Sequence, residues 1–521
     1  MQDGAPEAGE RDGVRAVAPR APNLVVAVAS AAVIVGVGLR FVTRSALWLD
    51  EALSVNIAAL PVPDLLEALR RDGHPPLYYL LLHGWIELFG TSDLAVRSLS
   101  GVIGVLALAV AWWCGRRRGG PVMGWFLVAV VAMSPFALRY ATEARMYSLV
   151  ILLVFVGAVL LDDIFVGRDG WGRLAVFTLT ATALLYTHYW SLWLLGAVGI
   201  LVLWRLWRDR DPQVRRTTLR VLGSLVLAGV LFLPWVPTLL YQSANTGTPW
   251  ASPSRPTTVV AVTLADFVAG AFPDATAVVL VVGVVALLGL FGRGLDGRTI
   301  RLDLRTERNG RREALVMALT MVLGMVFTYA TWSAFASRYG AVVFPLFALL
   351  VAVGLTCFVD RRVQLGVFVA VLGLLSVGAG WNVRDQRTQA REIATAISAE
   401  AEPGDLVIYC PDQLGPAGSR ELRGDLDQVV YPTFAAPERV DWVDYATRNE
   451  AADPEAFAAQ ALERAGDNAI FVIWNGSYRT LEGQCETLVD AIARARSASE
   501  LVGDGGRTFF EHATVTWAPR K

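Results

Sequence analysis

HPPLYYLLLHGWIELFG, residues 74–90, decides how the rest of the chain is threaded. The stretch is apolar, but it is short and follows its histidine with two prolines, Pro75 and Pro76. Were it to cross a bilayer, every later loop would change sides. The basic connections are RRR at 116–118, WRDRDPQVRR at 207–216, the stretch 293–312 and DRR at 360–362. Arginines in short loops stay cytoplasmic, and these four share the side of the N-terminus only when 74–90 does not cross. It is therefore read as a helix lying in, or dipping into, the opposite interface.

Outward from that choice, the crossings fall near 22–42, 95–115, 121–140, 146–166, 172–188, 190–207, 219–241, 274–292, 313–333, 339–359 and 363–381. That predicts eleven, with a cytoplasmic N-terminal tail at 1–21 and the C-terminus outside. The composition agrees, being 54% hydrophobic and 18% charged over 521 residues, with a mean hydropathy of +0.46. Soluble domains carry about 25% charge, and the apolar blocks recur near the roughly 20 residues that span a bilayer. The net charge of −1 supplies no basic field for nucleic acid. Lys521 is the only lysine among 46 basic residues, a bias of high-GC bacterial genomes, so a bacterial plasma membrane is the expected location. Arg11, Arg15 and Arg20 precede the first apolar run, but no small-residue cleavage site precedes Trp48. The first helix is expected to be retained and not removed as a signal peptide.

This threading leaves a long first outer segment, about 43–94. It holds the acid pair Asp50 and Glu51 in LWLDEALS (47–54), an amphipathic stretch at 61–71 and HPPLYY at 74–79. Further outer elements are LRYATEARMYS (138–148), YTHYWS (186–191), the Pro/Ser-rich loop 242–257 and FASRYG (335–340). Ionisable groups gathered at one boundary of an otherwise apolar bundle point to a functional cavity there. From 384 the hydropathy collapses. GDLVIYCPDQ and DNAIFVIWNG read as buried strands, EAFAAQALERAG and CETLVDAIARARSA as amphipathic helices. Residues 384–521 thus form a small outer α/β domain with a mainly parallel sheet, after a membrane domain at 22–383.

With these pieces in order the chain resembles membrane glycosyltransferases of the GT-C superfamily. The nearest kin are the protein O-mannosyltransferase and lipid A aminoarabinose transferase group, glycosyltransferase family 39. The resemblance is carried by Asp50-Glu51, by His74 to Tyr79, and by RYATEARMY at 139–147. It covers roughly residues 20–240 in order and more loosely up to 381, leaving the soluble domain outside. It implies an inverting transfer of a sugar, mannose or a pentose, from a polyprenyl-phosphate donor to an acceptor hydroxyl on the outer face. The acceptor would be an envelope glycan, lipid or protein, and membrane lipids would surround the bundle.

Asp50 matches the family's catalytic acid and is assigned the base that takes the acceptor proton. Adjacent carboxylates on one turn cannot reach the same proton, so Glu51 orients or shares it, or helps hold a divalent ion. The departing phosphate needs positive charge rather than a proton, and arginine supplies a bidentate fork. Arg145 in EARMY and Arg338 in SRYG are assigned to it, with His74 hydrogen-bonding the phosphate or supporting Asp50. Glu143, Tyr147, His188, Tyr339 and Arg139 are candidate cavity lining. The first outer loop carries D-E, not the D-x-D of metal-dependent relatives. The histidines at 74, 83, 188 and 512 lack zinc-ligand spacing. No cofactor is expected to be required.

Cys114 and Cys357 fall near cytoplasmic ends of crossings, while Cys410 and Cys485 fall in the outer domain, where the compartment permits a disulfide. Two rival functions stand beside the transferase. A lipid-linked-sugar transporter or flippase would place charge and broken helices at the bilayer midplane, within repeated halves. Here the crossings are nearly free of charge and no repeat is visible. A non-catalytic scaffold binding cell-wall polymers through the α/β domain would tolerate loss of Asp50.

Overall fold

The computed structural model describes residues 23–521 except 250 and 305–308. The expected tail at 1–21 and part of the basic stretch 293–312 lie outside the described residues. The membrane part is helical: α1 (Asn23–Leu39), α2 (Leu49–Ala58), α3 (Val62–Asp72), α4 (Leu77–Phe89), α5 (Asp93–Met133), α6 (Pro135–Ala141), α7 (Tyr147–Phe165) and α8 (Trp171–Thr187). It continues with α9 (Ser191–Arg208), α10 (Pro212–Phe232), α11 (Val236–Asn245), α12 (Pro256–Val268), α13 (Thr276–Phe291), α14 (Asn309–Ala330), α15 (Phe344–Leu355) and α16 (Arg361–Arg384). Among the described residues six helical spans are long and apolar enough to cross a membrane, and five shorter apolar helices accompany them. This is a multi-pass membrane protein.

Helix α5 holds two of the expected crossings. Gly119 and Gly120 leave the helical region just before Pro121, with Gly120 at φ 78°. A left-handed glycine followed by a residue that cannot donate a backbone hydrogen bond reverses the chain, so RRRGG is the hairpin between 93–118 and 121–133. Helix α12 was not anticipated. At 13 residues it is too short to register as a crossing, yet it packs beside α6.

The charged groups sort to two ends. At one, Arg118 reaches Asp162 at 2.5 Å and Glu313 at 2.7 Å, Arg312 reaches Asp162 at 2.5 Å, and Arg117 pairs with Asp163 at 2.5 Å. At the other lie α2, the α3–α4 turn and the α6–α7 connection. Helix α4 begins and ends there. His74 before it touches Arg145, while Thr91 and Asp93 after it meet Arg420 of the soluble domain at 2.7 and 3.6 Å. Thirteen residues at about 1.5 Å each give about 20 Å, short of the roughly 30 Å hydrocarbon core.

A short antiparallel pair, β1 (Gly292–Gly294) and β2 (Ile300–Leu302), links α13 to α14. After α16 ends at Arg384 the fold changes to α/β. Strands β3 (Gln386–Thr388), β4 (Leu406–Cys410), β5 (Asp427–Val430), β6 (Ile470–Trp474), β7 (Ser499–Val502), β8 (Phe509–Glu511) and β9 (Thr514–Ala518) follow. The sheet order is β5-β4-β6-β9-β7. Its β5-β4-β6 half is parallel, as expected, but β9 runs antiparallel to both β6 and β7, so the sheet is mixed. The last strands return through tight loops rather than a crossover helix, and that connection favours antiparallel pairing. Cys410 and Cys485 are joined by a disulfide, tying the end of β4 to the helix Gln484–Ala495. Cys114 and Cys357 are free and buried.

The soluble domain sits on the end that carries α2. Strand β3 pairs with β8, and Arg387 between them buries its side chain against Thr142, with Nη2 donating to Oγ1 at 3.0 Å. Arg71 of α3 meets Asp441 at 2.9 Å, and Asn56 of α2 donates to the Glu438 carbonyl at 2.7 Å.

Candidate active site

Helix α2 starts at Leu49 without a side-chain cap from its own N-terminal neighbour, Trp48. The first amides of a helix need acceptors, and here one comes from 462 residues away. Glu511 of β8 accepts from the Leu49 amide at 2.7 Å through Oε2 and from Thr388 Oγ1 at 2.7 Å through Oε1. Phe510 meets the Trp48 ring edge-on at 5.6 Å between centroids. The acids of the first turn, Asp50 and Glu51, also favour the positive end of the helix dipole.

Those two acids have different surroundings. Asp50 Oδ2 lies 3.4 Å from Arg338 Nη2 and 3.8 Å from Arg145 Nη2. This oxygen is buried and makes no hydrogen bond with any described residue. Burial alone would raise its carboxyl, but Arg338 and Arg145 outweigh burial and hold it below the usual carboxylate range. Glu51 is fully buried and gripped at both oxygens. Arg97 donates to Oε1 at 2.7 Å and to Oε2 at 2.5 Å, and the Ala144 amide donates to Oε1 at 2.9 Å. Arg387 stands 3.7 Å from Glu51 and 3.5 Å from Glu143, which also accepts from Arg139 at 3.1 Å. Glu51, Glu143, Arg139, Arg97 and Arg387 thus form an interior lattice behind the exposed edge of Asp50.

Arg145 is held on several sides. Its Nη1 donates to Ser54 Oγ at 3.0 Å, to the Asp50 carbonyl at 3.3 Å and to Tyr79 Oη at 3.4 Å. Its Nη2 lies 3.0 Å from His74 Nε2. Arginine can only donate, so His74 accepts at Nε2, and its proton is assigned to Nδ1 facing Asp72 Oδ2 at 2.7 Å. Asp72 accepts from Tyr79 Oη as well, at 3.2 Å. Gly73, at φ 90°, turns the chain so that the residues on either side of it meet. Arg338 also lies over the Trp48 ring, 5.9 Å from its centroid.

The aromatic candidates form one wall. Tyr147 contacts His188 at 5.6 Å, His188 contacts Tyr339 at 5.4 Å, and Trp190 stacks on Tyr339 at 5.7 Å. His188 Nδ1 accepts from the Trp190 amide at 3.1 Å, which leaves Nε2 as its donor. The structure therefore brings Asp50, Arg145, Arg338 and His74 together, with Tyr147, His188 and Tyr339 alongside. It turns Glu51, Glu143 and Arg139 inward. Asp72, Ser54, Tyr79, Arg97 and Arg387 are contributors that sequence reasoning missed. Ser54 and Tyr79 lay inside the quoted motifs LWLDEALS and HPPLYY without a role, and Asp72 sits two residues before His74 in the turn DGHPP. A cavity of about 880 Å³ at the arginine-rich end, lined by Arg205, Arg208 and Arg312 among others, shares no residue with this cluster.

No family model and no curated protein matches the chain. Among solved structures, ArnT from Cupriavidus metallidurans bound to undecaprenyl phosphate aligns with a TM-score of 0.54 at 15% identity. The alignment covers 95% of this chain and 97% of that one. The apo form of the same protein aligns over the same shares with a TM-score of 0.55 at 14% identity. The fold of this chain is similar to that of ArnT over nearly the whole length of both.

Proposed function

We propose that the protein is an inverting glycosyltransferase that moves a sugar, mannose or a pentose, from a polyprenyl-phosphate donor to an acceptor hydroxyl. The observation that carries this reading is the position of Asp50 Oδ2, unbonded and flanked by Arg338 at 3.4 Å and Arg145 at 3.8 Å. In the resting site the two guanidiniums hold the carboxylate ionised and make it a weak base. A donor phosphate entering beside them competes for the same charges and raises the proton affinity of Asp50 at the moment a base is needed. The acceptor oxygen then bonds to the anomeric carbon from the face opposite the phosphate, and its proton passes to Asp50. The carbon–phosphate-oxygen bond breaks with its electron pair on the leaving oxygen, which Arg145 and Arg338 stabilise.

Glu51 has no free capacity for this step; it positions α2 through Arg97 and the Ala144 amide. The wall of Tyr147, His188 and Tyr339 borders the sugar. The arginine-rich end faces the cytoplasm by the positive-inside rule, which puts the Asp50 end and the α/β domain outside the cell. Incubating the purified protein with polyprenyl-phosphates carrying mannose, arabinose, glucose or galactose tests the reading. Release of free polyprenyl phosphate from one member, lost in Asp50→Asn, is the expected result. No turnover of any member would sink it.

A further inference from the structure

A second concave site lies beside the first. It is a pocket of about 470 Å³ between residues 243–249, the end of α14 and the soluble domain, and its lining includes Trp332, Thr248, Asp444, Arg479, Thr480 and Glu482. Its walls are tied across segments. The Asp444 amide donates to the Asn245 carbonyl at 2.9 Å, Arg479 donates to Ser252 Oγ at 2.5 Å, and the Ala334 amide donates to Thr248 Oγ1 at 2.7 Å.

Backbone strain concentrates here. Among the described residues four non-glycines have positive φ, and three of them line this pocket: Trp332 at 53°, Asp444 at 50° and Thr480 at 73°. For a bulky or β-branched side chain that conformation is an outlier, and such outliers cluster at ligand sites. Trp332 pays no packing role in return, being 71% exposed. It offers a flat apolar face rimmed by hydroxyls, amides and acids. Three carboxylates (Asp444, Glu450, Glu482) stand against one guanidinium (Arg479), a balance that repels anions.

We infer that this pocket is an acceptor subsite for an uncharged oligosaccharide, stacked on Trp332 and hydrogen-bonded by Asp444, Thr480 and Glu482. A sugar ring presents an apolar face to an indole and hydroxyls to side chains around it. The inference rests on the transferase reading only for the word acceptor, and the geometry links the two sites. Gln242, at the end of α11 and just before the pocket loop, donates to the Leu69 carbonyl at 2.8 Å and the His74 carbonyl at 3.4 Å. The segment that walls the pocket is therefore anchored on the turn that carries His74.

The test is saturation-transfer NMR of full-length protein in nanodiscs, titrated with mannotetraose, arabinotetraose, chitotetraose and a heparin tetrasaccharide. At least one neutral sugar is expected to saturate at or below the millimolar range. Trp332→Ala should weaken it by about tenfold or more, the equivalent of about 1.4 kcal/mol, and Trp332→Phe should retain most of the binding. Should Trp332→Ala not remain monodisperse, Glu482→Ala provides the same readout from an exposed position. Binding that persists in Asp50→Asn, whose transfer is removed, separates this site from the catalytic proposal. Saturation by none of the neutral sugars, preference for heparin, or unchanged affinity in both the Trp332→Ala and Glu482→Ala proteins would overturn the inference.

Discussion

Arg338 Nη2 stands 3.4 Å from Asp50 Oδ2, and the two residues come from segments 288 positions apart, one at the start of α2 and one in the turn before α15. The pairing gives Asp50 its charge, since burial alone would favour the neutral form. Asp50→Asn removes the base and leaves the cavity shape unchanged. Turnover of the donor–acceptor pair should fall by about 10²–10⁴-fold, measured as acceptor labelling at matched protein levels.

Arg338 and Arg145 should not respond alike. Arg145 serves the framework through Ser54, Tyr79 and His74, whereas Arg338 is partly exposed. Arg338→Ala is expected to lower kcat by about 10²–10³-fold with a modest change in thermal stability. Arg145→Ala should lower both, and thermal-shift measurements on the two variants make the comparison.

Glu51 offers the opposite contrast to Asp50. Removing one partner of a buried ion pair leaves the other charge stranded, at about 3–5 kcal/mol. Glu51→Ala should therefore destabilise strongly, because Arg97 and Arg387 would face each other without it. Asp50→Asn should unfold close to the wild-type temperature. Equal stability of the two variants would contradict the framework role.

Glu511 supplies a pH handle. Burial pushes its carboxyl from the ordinary 4.5 of a glutamate up to about 7, against the hydrogen bonds from Thr388 and Leu49. The unfolded chain loses this proton first, so the contribution to stability is largest below 4.5 and falls as pH rises towards about 7. Glu511→Gln keeps an acceptor for Leu49 but does not titrate, and its melting temperature should vary less across that window.

Positive charge for the leaving phosphate comes from guanidiniums in this scheme. Transfer should accordingly survive prolonged EDTA treatment, and loss of activity restored by added divalent ion would redirect the mechanism.

Much of the architecture could be read along the chain because it follows from local pattern. The amphipathic α3 and the soluble helices declared themselves by period, and the loop between the second and third crossings by its three arginines. The convergence of Asp50 with Arg145 followed from loops being assigned to a common side. What stayed hidden is tertiary. Arg97 lies 46 residues from Glu51 in sequence, and Arg387 reaches Thr142 over 245; no spacing rule connects them. Helix α12 was hidden by its length, and the antiparallel β9 by strands too short to carry direction. Eleven crossings were expected; among the described residues six helical spans meet the length and apolarity needed, one of them holding two of the expected crossings, and five shorter apolar helices accompany them.

The tie between Glu511 and the Leu49 amide has a temporal consequence. The helix bearing Asp50 leaves the ribosome well before its cap, which is synthesised 462 residues later. Until β8 has been translated and docked, that helix begins with an unmet amide beside two acids. Chains terminated before β8 should insert into the bilayer with the first turn of α2 uncapped, and on the proposed mechanism they should release no polyprenyl phosphate.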